Sequence, residues 1–332
     1  MYRCNWLKWA MVCALLILTA HTWELRAWGF FAHKEINQLA IYTLPPKMFG
    51  FYKNHMSYIK EHAVDPDKRR YGVEGEAPRH YIDIDHYCKG KGVHCNPFLL
   101  MPKTWFEARK KFTEDTLQEY GIVPWHIEVM LNKLTRAFAS ENANYILRTS
   151  AEIGHYIADA HVPLHTTENY NGQMTGQYGI HGFWESRIPE LFNEDYDFFL
   201  GSAKYIDRPL DYTWNFVQDS HFALDSVLGF EKQLTEEFPK DQKYTFEERG
   251  RVIVETYSQE FSRAYHSKLN GQVERRMRAS ILDIGSFWYT AWVNAGQPDL
   301  DKLLVDEEVL KEEVAKENDV PEKENLKKRI HE

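Results

Sequence analysis

Histidine and carboxylate side chains recur at helical spacing in two stretches, His155-Tyr156-Ile157-Ala158-Asp159-Ala160-His161-Val162-Pro163-Leu164-His165 and His181-Gly182-Phe183-Trp184-Glu185. In a helix, His155 and Asp159 fall four residues apart on one face, and His181 and Glu185 repeat that relation. Two helices can therefore each offer an imidazole–carboxylate pair to a shared cavity. Such pairs suit zinc and similar divalent ions, and bundles build metal sites from side chains that converge between helices.

Two further segments extend the pattern. His80 sits in the aromatic-rich His80-Tyr81-Ile82-Asp83, and Asp65 in the polar turn Val64-Asp65-Pro66-Asp67-Lys68-Arg69. Alone, a buried histidine is more often a hydrogen-bonded core residue than a ligand, and aspartate before proline is a routine turn former. Their company with the two pairs and with His165 makes both candidate ligands.

The elements that must position these groups read as mainly α-helical, because apolar residues follow helical spacing and strands separated by regular turn signals are few. The pattern predicts helices over 33–44, 46–60, 104–120, 124–138, 143–161, 182–192, 214–235, 246–269 and 272–295, packed as one multi-helix domain over 28–298. Loops 65–78 and 166–179 lie beside candidate ligands, as site-forming loops often do. From Asp299 the composition turns to Glu, Lys, Asp and Val. The 299–332 segment reads as a charged tail, a surface helix over 300–316 that then frays into disorder.

At 332 residues and 43% hydrophobic, the chain can bury a sizeable core. Its net charge of -9 argues against general attraction to nucleic acid or anionic lipid, although bound metal can create a local positive site. Arg3 and Lys8 precede an apolar run from Trp9 to Ala20, and Leu25-Arg26-Ala27 ends on a small residue, so residues 1–27 read as a signal peptide. That run is well short of the ~20 residues that span a bilayer, so the mature form is expected to carry no transmembrane segment. Export to a periplasm or the exterior follows, and the cut leaves Cys88 and Cys95 as the remaining thiols, predicting a disulfide around the loop 89–94.

Taken in order, Trp28, His33, Asp65, His80, His155, Asp159, His165, His181 and Glu185 resemble the ligand series of the zinc-dependent phospholipase C and S-one/P-one nuclease superfamily, over nearly all of residues 28–296. The resemblance implies about three zinc ions between helices: one on Asp65, His80, His155 and Asp159, a second on Trp28, His33 and Asp159, a third on His165, His181 and Glu185. Trp28 would bind through its α-amino group after signal cleavage, and Asp159 would bridge. Such a centre hydrolyses phosphate esters with a metal-bound hydroxide, because the ions lower the pKa of bound water toward ~7. Asp65 is the catalytic candidate that orients or deprotonates the attacking water.

The resemblance leaves two substrates open. The spacing from Trp28 to His33 is similar to the nuclease branch, which takes single-stranded nucleic acid and nucleotides. Glu185 and the segment Thr166–Asn171 are similar to the phospholipase branch. Phe31, Tyr81 and Tyr170 are candidate cleft aromatics, and Lys68 and Arg69 candidate phosphate contacts. Choline-preferring bacterial members carry an acidic residue where this chain has Phe31, so the resemblance does not extend to that head group. A zinc-stabilised binding protein without turnover is the remaining alternative, and no obligate protein partner is inferred.

Overall fold

The computed structural model describes residues 30–92, 94–249 and 252–318; the expected signal peptide and Trp28 lie outside them. The helix Ala143–Ala160 forms the centre. Asn142 caps its start, accepting from the Tyr145 amide at 2.9 Å, and nearly all of its later residues are buried. The helices Phe30–Ala40, Val123–Ala139 and Gln272–Asn294 pack around it, and every residue from Ile153 to Ala160 is buried. Ser150 joins the central helix to Gln272–Asn294 and to the helix Pro46–Asn54: its carbonyl accepts from the Trp288 indole at 3.1 Å, and its hydroxyl lies 2.8 Å from that of Tyr52, which stacks on Trp288.

Close approach of the first helix depends on one glycine. A Cβ on Gly154 would lie 2.1 Å from Oδ1 of Asn37, a buried side chain whose Nδ2 donates to the Ala151 carbonyl at 3.0 Å. This contact falls one turn after His33 and one residue before His155. It therefore sets how near the two ligand-bearing helices come.

Several predicted helices are divided. The 46–60 segment breaks at His55 into Pro46–Asn54 and Met56–Glu61, 104–120 breaks at Thr113, and 214–235 belongs to two helices, Pro209–Phe222 and Leu224–Glu237. The larger difference lies in 246–269. Its first half is an antiparallel hairpin, β1 Tyr244–Arg249 and β2 Val252–Tyr257, paired from Tyr244 with Tyr257 to Arg249 with Val252, and only Gln259–Leu269 is helical. The β-branched Val252, Ile253, Val254 and Thr256 favour extended backbone over helix.

Of the tail, residues 299–318 are described. A short 3-10 turn covers Leu300–Lys302 and a helix runs over Glu307–Asn318, starting later than predicted. Asn144 exchanges hydrogen bonds with Asp306, accepting at 3.0 Å and donating at 2.9 Å, and Leu310 is buried. Among the described residues no helix is long and apolar enough to cross a membrane. Cys88 and Cys95 form a disulfide.

Candidate metal centre

Six elements converge. His33 comes from the first helix, His155 and Asp159 from the central one, His165 from the 3-10 turn Pro163–Thr166, and His80 from the end of the 3-10 turn Ala77–His80. His181 lies in the short helix Ile180–Gly182, and Glu185 in the π-helical turn Phe183–Arg187 that follows it. A π-turn interrupting an α-helix is a feature often found at functional sites.

The ligand atoms form three sets, His33–His155–Asp159, Asp67–His80–His155 and His165–His181–Glu185, each within 4.8 Å of one another and all buried. Asp159 lies between sets. Its Oδ1 is 3.3 Å from His33 Nε2 and 3.8 Å from His165 Nδ1, while its Oδ2 is 2.8 Å from His80 Nδ1 and 3.2 Å from His155 Nε2. Glu185 Oε2 is 2.8 Å from His181 Nε2 and 3.5 Å from His165 Nε2.

Backbone carbonyls orient two of the rings. His155 Nδ1 lies 2.8 Å from the Ala63 carbonyl and His165 Nδ1 2.6 Å from that of His80. A proton on each Nδ1 satisfies these acceptors and turns an unprotonated Nε2 toward the cluster, the usual arrangement for a ligating histidine. Asn171 supports His181 from the loop, its Oδ1 accepting from the Gly179 amide at 3.0 Å and from the His181 amide at 3.4 Å.

The electrostatics fit a cation. Burial works against a charged His155, yet the Asp159 and Asp67 carboxylates lift its pKa to about 10. Burial likewise opposes ionisation of Asp159 and Asp67, but the facing imidazoles, His155 foremost, hold both well below the ordinary carboxylate range. His33 is pushed down by burial and then by neighbouring His155, and His165 by burial. A set of buried carboxylates with imidazoles among them requires positive charge, either as protons or as metal, and this donor chemistry suits zinc.

The sequence-predicted residues divide clearly. His33, His80, His155, Asp159, His165, His181 and Glu185 come together; Asp65 does not join them. Its Oδ2 is 2.6 Å from His62 Nδ1, and its Oδ1 accepts from Lys68 Nζ at 2.8 Å. Asp67 takes that place, its Oδ1 3.7 Å from His80 Nδ1, 3.6 Å from His155 Nε2 and 3.5 Å from Arg70 Nη1. Both lie in the single helical turn Asp65–Arg69, where residues two apart point to opposite sides.

The substrate candidates separate as well. Arg69 is buried in ion pairs with Glu152 at 2.9 Å and Glu76 at 4.0 Å, so it is not a phosphate contact, and the ammonium of Lys68 is held by Asp65. Tyr81 is buried, with its hydroxyl 3.4 Å from the Glu119 carbonyl. Phe31 and Tyr170 are half-buried, and the Tyr170 ring lies 6.3 Å from that of His181. Sequence reasoning missed Asp67, Asn171 and Glu76, which lies 3.7 Å from His80 Nε2 and accepts the Tyr156 hydroxyl. Only Asp67 had a signal, its place in the same turn as Asp65.

Packed helices enclosing such sets define a mainly α protein built around a histidine–carboxylate metal centre. The model of the zinc dependent phospholipase C family matches residues 32–266, and the chain belongs to that family. No curated protein matches it. Among solved structures it is similar to one titled "Crystal Structure Analysis of Clostridium perfringens alpha-Toxin Isolated from Avian Strain SWCP", at 10% identity and a TM-score of 0.45, over 81% of this chain and 65% of that one. The chain thus spans less than two thirds of that toxin chain.

Proposed function

We propose that this chain is an exported zinc-dependent hydrolase of the phospholipase C type, cleaving a phospholipid between glycerol and the head-group phosphate. Family membership supports the reaction class. The observation that carries the site reading is Asp159, whose two oxygens face different ligand sets as a bridging carboxylate must.

On this reading Asp67, His80, His155 and Asp159 hold one ion, and His33 with Asp159 holds a second, completed by the α-amino group of Trp28 once residues 1–27 are removed. His165, His181 and Glu185 hold a third. Zinc at such a centre supplies Lewis acidity toward phosphoryl oxygens and a lowered pKa for attacking water.

The protein's own contribution is positioning. The Ala63 and His80 carbonyls fix the His155 and His165 rings, and Arg70 orients Asp67. Asp67 Oδ2 is buried and accepts no hydrogen bond among the described residues, which leaves it open to orient an attacking water, part of the role expected of Asp65 from sequence. Half-buried Tyr170 beside His181 offers an apolar wall to the substrate.

The test is a substrate panel on zinc-loaded protein beginning at Trp28: phosphatidylcholine and phosphatidylethanolamine vesicles, single-stranded DNA and 3′-nucleotides. Release of phosphorylated head group from the lipids is expected. Turnover of nucleic acid or nucleotides alone would overturn the substrate assignment.

A further inference from the structure

The π-turn that carries Glu185 is held at both ends by the hairpin, one strand to each end. Phe183, its first residue, stacks on Tyr257 of β2 with ring centroids 3.7 Å apart and planes 12° from parallel. Arg187, its last residue, is buried and forms a bidentate pair with Glu247 of β1, Nη1 donating to Oε2 at 2.7 Å and Nη2 to Oε1. Glu185 lies between these two anchors.

The partners sit about 60 and 70 residues further along the chain, outside the three ligand sets. A bidentate guanidinium–carboxylate pair constrains orientation as well as distance, so it resists rotation of the turn about its axis. Stacking of Phe183 on Tyr257 resists the same rotation at the other end. Without these anchors a π-turn can relax to the tighter α pattern, which keeps Glu185 on the side of His181 but turns it relative to His165, which comes from another element.

We propose that the hairpin is a positioning clamp for the third metal site, with Glu247 the residue that, through Arg187, keeps Glu185 in place. This rests on the reading of His165, His181 and Glu185 as metal ligands. A two-stranded hairpin is marginal alone, so its stability comes from the body it grips, and the grip works in both directions. Occupancy of one ion is thereby tied to an element that supplies none of its ligands.

The experiment counts metal. Full-length mature protein is loaded with zinc, dialysed and analysed for zinc per chain, then titrated with a competing chelator to obtain site affinities. Glu185→Gln serves as reference and is expected to lose one ion. Glu247→Gln should weaken that same ion about 10- to 100-fold, the usual cost of losing a residue that orients a ligand, and leave the others unchanged. Glu247→Asp, which keeps the charge but shortens the arm, should fall between, and kcat should drop more than KM rises in both. Glu255→Gln, an exposed position of β2, should match wild type.

If Glu247→Gln or Glu247→Asp folds, even with a lowered Tm, and keeps the Glu185-dependent ion at wild-type affinity, the clamp is wrong while the metal reading stands. If Glu185→Gln itself loses no ion, the metal reading fails and the clamp with it.

Discussion

Replacing Gly154 by alanine tests how the first helix is brought to the centre. The added Cβ would meet Asn37 Oδ1 at 2.1 Å, and ordinary contact begins near 3.4 Å, so the pair must separate by about 1.3 Å. His33 Nε2 and Asp159 Oδ1 now lie 3.3 Å apart. Two donors on one zinc with bonds of ~2.0–2.1 Å are separated by ~3.3–3.4 Å at a tetrahedral angle and by ~4.2 Å at the very most. If the helix moves as a body, that separation approaches roughly 4.6 Å and no single ion can bridge it. If Asn37 swings aside instead, its bond to the Ala151 carbonyl is lost and a buried amide is left unsatisfied, at a cost of about 1–3 kcal/mol. The two routes are separable by zinc analysis alongside urea unfolding. We expect Gly154→Ala to lose the ion shared by His33 and Asp159 and most activity, and a second change, Asn37→Ser, to restore both by making room. Full zinc content and wild-type turnover in Gly154→Ala would refute the reasoning.

Five further outcomes are expected. Asp67→Asn should lower zinc content and reduce kcat by at least ~100-fold, whereas Asp65→Asn, which loosens only His62 and Lys68, should retain the metal; equal effects would return the ligand role to Asp65. Protein stripped with a chelator should rebind zinc more tightly as pH rises from 7 toward 9, by up to ~10-fold per unit, because zinc must displace the proton that His155 holds up to about 10. The same shift means that the stabilisation which proton lends the metal-free fold is complete below ~6.5 and is lost as pH rises through about 10, which urea titrations across that range will register. His126, buried against Tyr156 and depressed to about 3 by burial and then by Arg79, favours the fold only while neutral, so stability falls as pH drops from ~6.5 toward 3; His126→Phe should flatten that slope by ~1.4 kcal/mol per pH unit, and an unchanged slope would show that another group is responsible. One extra residue before Trp28 converts its amine to an amide and should cost one zinc ion, read by elemental analysis against the correctly cleaved form.

What could be read from sequence was local and periodic. His155 with Asp159 and His181 with Glu185 are legible because a helical turn returns the fourth residue to the same side, and the folded distances of 3.2 and 2.8 Å reflect that geometry. The Cys88–Cys95 pairing was legible because these are the two thiols that remain beyond residues 1–27. The mainly α character was legible from apolar spacing.

Tertiary structure decided what depends on which face docks and on partners far along the chain. Asp65 and Asp67 share one short turn, and local spacing says only that they point to opposite sides; the docking of that turn against His80 and His155 chooses Asp67. The stretch 246–269 reads as one helix in sequence, whereas packing of Tyr257 on Phe183 and of Glu247 on Arg187 belongs to the hairpin alone. Periodicity is set by covalent geometry within a few bonds, and a sequence displays it. The pairing of a carboxylate with an arginine sixty residues away is set by the free energy of the whole packed chain, and only the fold displays that.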